Sequence, residues 1–284
     1  MTSEQNKYAT IASLVGSPKG RSVIAASLQQ PLRTQRDYAS VGRKAFLTTV
    51  LPNGTLPYYD KDIDARAYVV GEEGDNVEVH VRGSRVLFPL CEITAQPMIP
   101  MTEITNRQFD IIERTVAKHT SKIGEEEDKK AFGTLAAVCN DPNSPNPDIL
   151  CPGTLTSTAL IDGFAAIEAW DLRVAYIFCN AFDFADIRKW DRDVLDPTSQ
   201  AELLKTGIRR QLWDANIVVS KIIPRGTIYL TAEPEFVGRI PIRYDLTIIS
   251  ADDPRQRAIG YSMFENLGFG CHNPKGVQRI QVVR

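Results

Sequence analysis

Residues 105–138 read TNRQFDIIERTVAKHTSKIGEEEDKKAFGTLAAV, the longest helical pattern in the chain. Thr105 and Gln108 have the S/T-x-x-E/Q spacing of a capping box, which satisfies two orphan backbone donors at a helix start. Phe109, Ile112, Val116, His119 and Ile123 then recur three and four residues apart, a narrow apolar stripe on one face. Glu113, Arg114, Lys118 and Lys122 fill the other faces, followed by the run Glu125-Glu126-Glu127-Asp128-Lys129-Lys130. Ala131, Phe132, Leu135 and Val138 restore the apolar face, so Gly124 reads as a weak point within one helix, where a bend is expected. Such a helix is roughly 50 Å long, and a compact chain of this size is about 50 Å across. A helix that crosses the molecule with so thin a stripe suits a spine in a flat subunit better than a core helix.

Downstream, Asp141-Pro142-Asn143-Ser144-Pro145-Asn146-Pro147-Asp148 has the composition of a linker. Beyond it the pattern is a compact α/β module. Thr154–Trp170 is predicted as an amphipathic helix with Leu160, Ile161, Phe164 and Ile167 inward. Arg173–Asn180, with Val174, Ala175, Tyr176, Ile177, Phe178 and Cys179, is a near-continuous apolar run of strand length, as expected for a central strand buried on both faces. Phe182–Trp190 and Thr198–Leu212 read as helices, the first with Asp183 and Asp186 near its positive end. Strands at Asn216–Lys221 and Thr227–Thr231 are expected to be joined by a hairpin-like turn at Pro224-Arg225-Gly226. Alternation from Arg239 to Ile249 gives a strand, which Pro241 assigns to a sheet edge. An apolar tract from Ile259 to Cys271 follows, and then Asn273-Pro274, a cap with proline at the first helical position. The tryptophans Trp170, Trp190 and Trp213 fall at predicted helix ends, as packing anchors.

Upstream, Pro89–Pro100 is a proline-punctuated strand. Val41–Glu92 reads as β-structure without a second hydrophobic layer. Strands are expected at Ala67–Val70 and at Val77, Val79 and Val81, with a polar loop from Pro52 to Asp64. Residues 1–40 are polar, with one possible helical turn around Val23, Ile24 and Leu28. They read either as a disordered tail or as an arm that orders on a neighbour.

With 43% hydrophobic and 24% charged residues, the 284-residue chain has ample material for a core. A net charge of −2 supplies no basic field for specific nucleic-acid binding. No apolar run reaches the ~18 residues that span a bilayer, and the first twenty residues lack a signal-peptide layout. Cys91, Cys139, Cys151, Cys179 and Cys271 are odd in number and lack C-x-x-C spacing, so free thiols are expected.

The residues show no convergent catalytic set. His80 falls on the polar side of a predicted strand, and His119 on the spine stripe as a half-buried imidazole. Cys271-His272 has the composition of a nucleophile and base, but neighbours in an extended segment point to opposite faces. Gly268-Phe269-Gly270 lacks the third glycine and the following helix that phosphate binding requires. Carboxylates at Glu125 to Asp128 spread around a helix, so a solvated face or a subunit contact is expected over a metal site.

The order of parts, and the wording of Ala67-Tyr68-Val69-Val70-Gly71, Val86–Ile93, Thr154–Trp170, Val219–Leu230 and Asn273-Pro274-Lys275, resembles the major capsid proteins of tailed bacteriophages. Their Hong Kong 97-type fold is shared by encapsulin shell proteins. The resemblance implies an α+β fold divided into an N-terminal arm (1–40), an E-loop β-hairpin (41–92), a P-domain with the spine helix (93–150), an α/β A-domain (151–250) and a return strand with the C-terminal segment (251–284). It implies a structural, non-enzymatic subunit without cofactors, self-assembling into pentamers and hexamers of an icosahedral shell around double-stranded DNA. Inter-subunit contacts are then expected from Lys44, Tyr58, Tyr59, Lys61, Arg66 and Arg82, and from Glu125, Glu126, Glu127 and Lys129 on the spine. A separate scaffolding protein, a portal and a decoration protein are the implied partners. DNA is contacted non-specifically and no membrane is involved; the virion, assembled in host cytoplasm, is the implied location. Some members join an E-loop Lys to a distant Asn with help from a Glu. Lys44, Lys61, Glu265 and Asn266 are available, but nothing in the sequence pairs them. The alternatives are an encapsulin-type compartment with enzyme cargo, which the polar first forty residues and long excursion disfavour, and an α/β enzyme with an unrecognised site.

Overall fold

The computed structural model describes residues 38–60, 84–106, 111–190 and 211–284. The turn at Val23–Leu28, the strands at 67–70 and 77–81, His80, the cap residue Gln108, Phe109 and the helical stretch 198–210 lie outside the described residues.

A 3-10 turn at Gly42–Ala45 precedes strands β1 (Leu47–Val50), β2 (Tyr58–Asp60), β3 (Arg85–Leu87), β4 (Leu90–Ala95) and β5 (Met98–Pro100). Helices α1 (Met101–Asn106) and α2 (Ile111–Cys139) follow, then β6 (Ile149–Pro152), α3 (Ser157–Glu168), β7 (Val174–Cys179) and α4 (Ala181–Arg188). The chain continues through β8 (Gln211–Leu212), β9 (Ala215–Val219), β10 (Thr227–Ala232), α5 (Pro234–Val237), β11 (Gly238–Ser250), β12 (Ala258–Gly268) and β13 (Gly270–Cys271). A 3-10 turn at Pro274–Gly276 leads into β14 (Val277–Val283). The spine is the 29-residue α2, and Gly124 lies within it as continuous helix. Thr105 falls inside α1 instead of capping a helix start.

The described chain divides into two compact units. The smaller takes Thr94–Ile123 and Thr247–Phe264 with Tyr38 and Ala39; the larger takes Ser40–Ile93, Gly124–Leu246 and Glu265–Arg284. In the smaller unit β5 pairs antiparallel with the start of β12, with Ile99 opposite Ile259. A bridge between Asp253 and Ala258 closes the turn around Pro254. Met101 N donates to the carbonyl of Arg257, which sits at φ 50°.

The larger unit is built on a six-stranded mixed sheet of order β6-β14-β10-β7-β9-β8. Phe132 and Leu135 of α2 are among its buried residues, and the Phe132 ring lies 5.5 Å from Phe178 and 6.4 Å from Tyr229. The opposite face takes Leu160, Phe164 and Ile167 of α3, spaced four and three apart so that one stripe meets Leu230 and Ile280. β7 is central and buried, as its apolar run predicts. Ile161, expected inward, is half exposed because it sits about 100° around the helix from Leu160.

Five further expectations are corrected. β9 and β10 do not form a hairpin: they flank β7, one parallel and one antiparallel, so the turn carries the chain past a strand. Pro241 lies in β11, which has β1 on one side and β12 and β13 on the other. Ile242 O accepts Leu51 N, so alternation turns the Pro241 nitrogen away from β1, and the proline ring lies close to Gly268 of β12. The tract 141–148 is a loop, but it is stitched to the C-terminal strand. Asn146 Nδ2 donates to Lys275 O and Val277 O while its Oδ1 accepts Trp170 Nε1, and Asp148 pairs with Arg279 and Gln281. Trp213 sits in the turn between β8 and β9 at φ 47°, stacked on Trp190, and Leu212 is strand instead of helix. Finally, Val41–Glu92 is not without a core: Ala45, Phe46, Leu51 and Phe88 are buried. Within it Tyr58-Tyr59-Asp60, expected as loop, is a strand paired with Arg85–Leu87.

Candidate assembly site

The sequence-predicted contact residues separate into three groups. Lys61, Arg66 and Arg82 lie outside the described residues. Lys44, Tyr58, Glu126 and Lys129 are exposed. Tyr58 faces Leu87 across the β2–β3 pair, and both are exposed, as are Val50 (76%) and Leu56 (64%). An exposed Tyr–Leu cross-strand pair with two more apolar side chains nearby in sequence is unusual for a surface left in water. Glu126 and Lys129 pair with each other at 2.5 Å, one helical turn apart.

The remaining candidates face inward. Tyr59 is half-buried, its ring 5.3 Å from Phe88 and 5.2 Å beneath the Arg239 guanidinium. Glu125 bonds Lys221 at 3.1 Å with little exposure. Glu127 is 2% exposed, paired with Arg43 within its own subunit, and so is not available to a neighbour. The correction has a simple geometric cause. Ile123, Glu127, Ala131 and Leu135 are each four apart, so the charged run does not interrupt the buried stripe of α2; two acids occupy it.

Those acids organise the segment before β1. Asp128, fully buried, accepts Ser40 Oγ at 2.6 Å, Val41 N at 2.9 Å and Gly42 N at 2.7 Å. Charged acceptors of this kind give the stronger hydrogen bonds. The approach requires Gly42: a Cβ there would lie 2.8 Å from Asp128 Oδ1 and from Ala131 Cβ. One residue on, Arg43 donates through Nε to Glu127 at 2.5 Å and through Nη2 to Asp245 at 3.1 Å, with Glu265 Oε2 at 3.6 Å. Burial pushes the Glu127 carboxyl up against the opposing pull of Arg43. Burial, with the nearby Glu127, carries Glu265 to about 7. Neither the cluster nor its partner Arg43 was found in the sequence. The only signal was the four-residue spacing of Ile123, Glu127 and Ala131.

A second buried acid pair tethers the C-terminal strand. Asp183 and Asp186, one turn apart in α4, both accept Arg284 Nη2, at 2.7 and 2.8 Å. Asp183 Oδ2 also accepts Gly226 N at 2.9 Å. The Pro224–Thr227 turn needs glycine there, because Gly226 has φ 84° and a Cβ would lie 2.7 Å from Val282 O. The role is structural, as the sequence suggested, but it rests on Arg284 and Gly226 as well as the helix end.

The residues weighed for chemistry are held in structural bonds. Cys271 Sγ donates to Val237 O at 3.2 Å, and burial pushes the thiol up to about 12, away from any thiolate. All five cysteines are free. His119 Nδ1 lies 2.8 Å from Thr115 O, the half-buried, satisfied imidazole expected on the stripe. Among the described residues no group of three His, Cys, Asp or Glu is placed to hold a metal ion, and no helix is long and apolar enough to cross a membrane.

Comparison with known proteins fits this picture. A family profile described as phage capsid protein matches residues 98–280. No curated protein sequence matches the chain. Among solved structures, the mature capsid of bacteriophage PhiM1 superposes with TM-score 0.68 at 9% identity, covering 90% of both chains. The capsid of cyanophage P-SCSP1u gives 0.68 at 11% identity, covering 89% of this chain and 91% of the other. Mycobacterium phage Che8 gives 0.67 at 14% identity, covering 89% and 94%. At these identities the likeness is one of fold, and the fold is the Hong Kong 97-type α+β capsid fold.

Proposed function

The chain belongs to the phage capsid protein family, a structural capsid subunit of the virion, and from that premise we propose that its copies assemble as pentamers and hexamers into an icosahedral shell around double-stranded DNA. The observation that carries the reading is a fold shared over nine-tenths of both chains with capsid structures from unrelated-looking sequences.

On this reading residues 1–40 are the N-terminal arm, 41–92 the E-loop, 93–150 the P-domain, 151–250 the A-domain, and 251–284 the return strand with the C-terminal segment. The exposed set Val50, Leu56, Tyr58 and Leu87 supports an E-loop whose root lies on a neighbouring copy. Lys44, Lys61, Arg66, Arg82, Glu126 and Lys129 are proposed as further contacts between copies, whereas Glu125 and Glu127 serve their own subunit. Assembly takes place in host cytoplasm with a separate scaffolding protein and a portal, and a decoration protein binds the finished shell. A net charge of −2 gives no strong basic field, which supports loose, non-specific contact with DNA over tight neutralisation of many phosphates.

The test is electron microscopy of purified full-length protein, alone and with a co-expressed scaffold. Capsomers or closed shells are expected. A protein that stays monomeric at every concentration and with every scaffold overturns the proposal.

A further inference from the structure

We propose that Glu265 is a proton-operated latch on the segment Ser40–Phe46: protonated, it holds the segment closed on α2; ionised, it loosens it.

The geometry makes one proton decisive. Glu265 is 1% exposed, and its Oε1 is buried with no hydrogen-bond partner among the described residues. Four elements face it with charged or titratable groups. These are Arg43 from the 3-10 turn, Glu127 from α2, Asp245 from β11, and Cys91 from β4, whose own thiol is raised by burial and lies near Lys130. Arg43 already serves Glu127 and Asp245. With Glu265 protonated, one guanidinium balances two carboxylates, of which Asp245 is mostly in solvent. With Glu265 ionised, the same guanidinium faces three, and two of them are cut off from water. A buried charge without its own partner is costly. The arrangement can relieve it by admitting water where the lining is thinnest. That lining is the short turn carrying Arg43, held mainly through the Asp128 contacts to Val41 and Gly42.

The direction follows from linkage. The carboxyl is raised from 4.5 to about 7, first by burial and then by Glu127, with Arg43 opposing. The unfolded or opened state therefore loses its proton first. The stabilising effect is complete below about pH 4.5, is lost as pH rises towards about 7, and stays lost above that. Across that window the opening equilibrium changes by about tenfold for every pH unit, so the full span is on the order of a hundredfold or more.

The test is hydrogen exchange, read by mass spectrometry on the full-length chain and corrected for the intrinsic pH dependence of exchange. Protection at the Val41, Gly42 and Lys44 amides should fall at least about tenfold between about pH 5.5 and 8.5, relative to β7. In Glu265→Gln it should stay flat. Parallel behaviour of the two proteins, or unchanged protection in the wild type, overturns the proposal. Should Glu265→Gln not fold, infrared spectroscopy of the wild type labelled with carboxyl-13C glutamate decides. A glutamic-acid band that bleaches near neutral pH in step with the loss of protection at Val41 and Gly42 supports the latch; a band that bleaches without that loss, or full ionisation of every glutamate by about pH 6, overturns it.

Discussion

Arg284 reaches back 101 residues to Asp183, its Nη2 donating to Oδ1 at 2.7 Å, and the same nitrogen bonds Asp186 at 2.8 Å. Asp183 is fully buried, and burial raises its carboxyl despite Gly226 N and Arg284. The folded state therefore holds this proton longer than the unfolded one, and its contribution to stability declines as pH rises through the raised value. Removing the cation strengthens that trend. Arg284→Ala should destabilise the subunit by about 1–3 kcal/mol at neutral pH, and by progressively less as pH falls and the carboxyl takes up its proton. Urea denaturation at several pH values checks both the size and the sign.

Asp128 fixes the start of the described chain through three short bonds. An asparagine keeps one acceptor oxygen but places an N–H₂ against at least one backbone donor. Asp128→Asn should cost about 2–4 kcal/mol. It should also accelerate exchange at Val41 and Gly42 at every pH, which separates it from the pH-dependent opening assigned to Glu265.

Gly226→Ala meets two penalties at once, the left-handed φ of 84° and a contact of 2.7 Å with the Val282 carbonyl. A loss of about 1–3 kcal/mol is expected. Because Gly226 N also bonds Asp183, the effect should be less than additive with Arg284→Ala in a double-mutant cycle.

Tyr58→Ser removes an aromatic ring that is 53% exposed and pairs across the strands only with the exposed Leu87. The denaturation midpoint of the unassembled subunit should not move, while the yield of shells in the presence of scaffold should drop several-fold on the proposed E-loop reading. Normal yield would count against a contact at Tyr58.

The helices and strands with strong periodicity were legible in the sequence. The 29-residue spine, the buried run Val174–Cys179 and the Asn273-Pro274 cap all appear where their residues point. The misreadings share a physical origin: each depends on a partner remote in sequence. Glu127 and Asp128 look like surface charge until Arg43 and the Val41 and Gly42 amides are brought to them. Pro241 looks like an edge marker until β11 is seen to have β1 on one side and β12 and β13 on the other. Pro224-Arg225-Gly226 has the composition of a hairpin turn, yet β7 lies between the strands it joins. Local chemistry specified the turn correctly, and only the pairing partner of β7 decided where it led.

The strand order also sets a timetable. β6 has a single neighbour in its sheet, β14, and the two are separated by about 131 residues of chain, the span that also parts Asp148 from Arg279. A ribosome adding about 5–20 residues per second needs on the order of ten seconds to make that stretch. Until it does, β6 and one side of β10 are open edges on a nascent chain surrounded by other copies of itself. β14, made long after β6, is thus the strand that closes the sheet. On the proposed shell reading, a nascent chain that still lacks β14 is unfit to join its neighbours, which keeps half-made subunits apart from the growing shell.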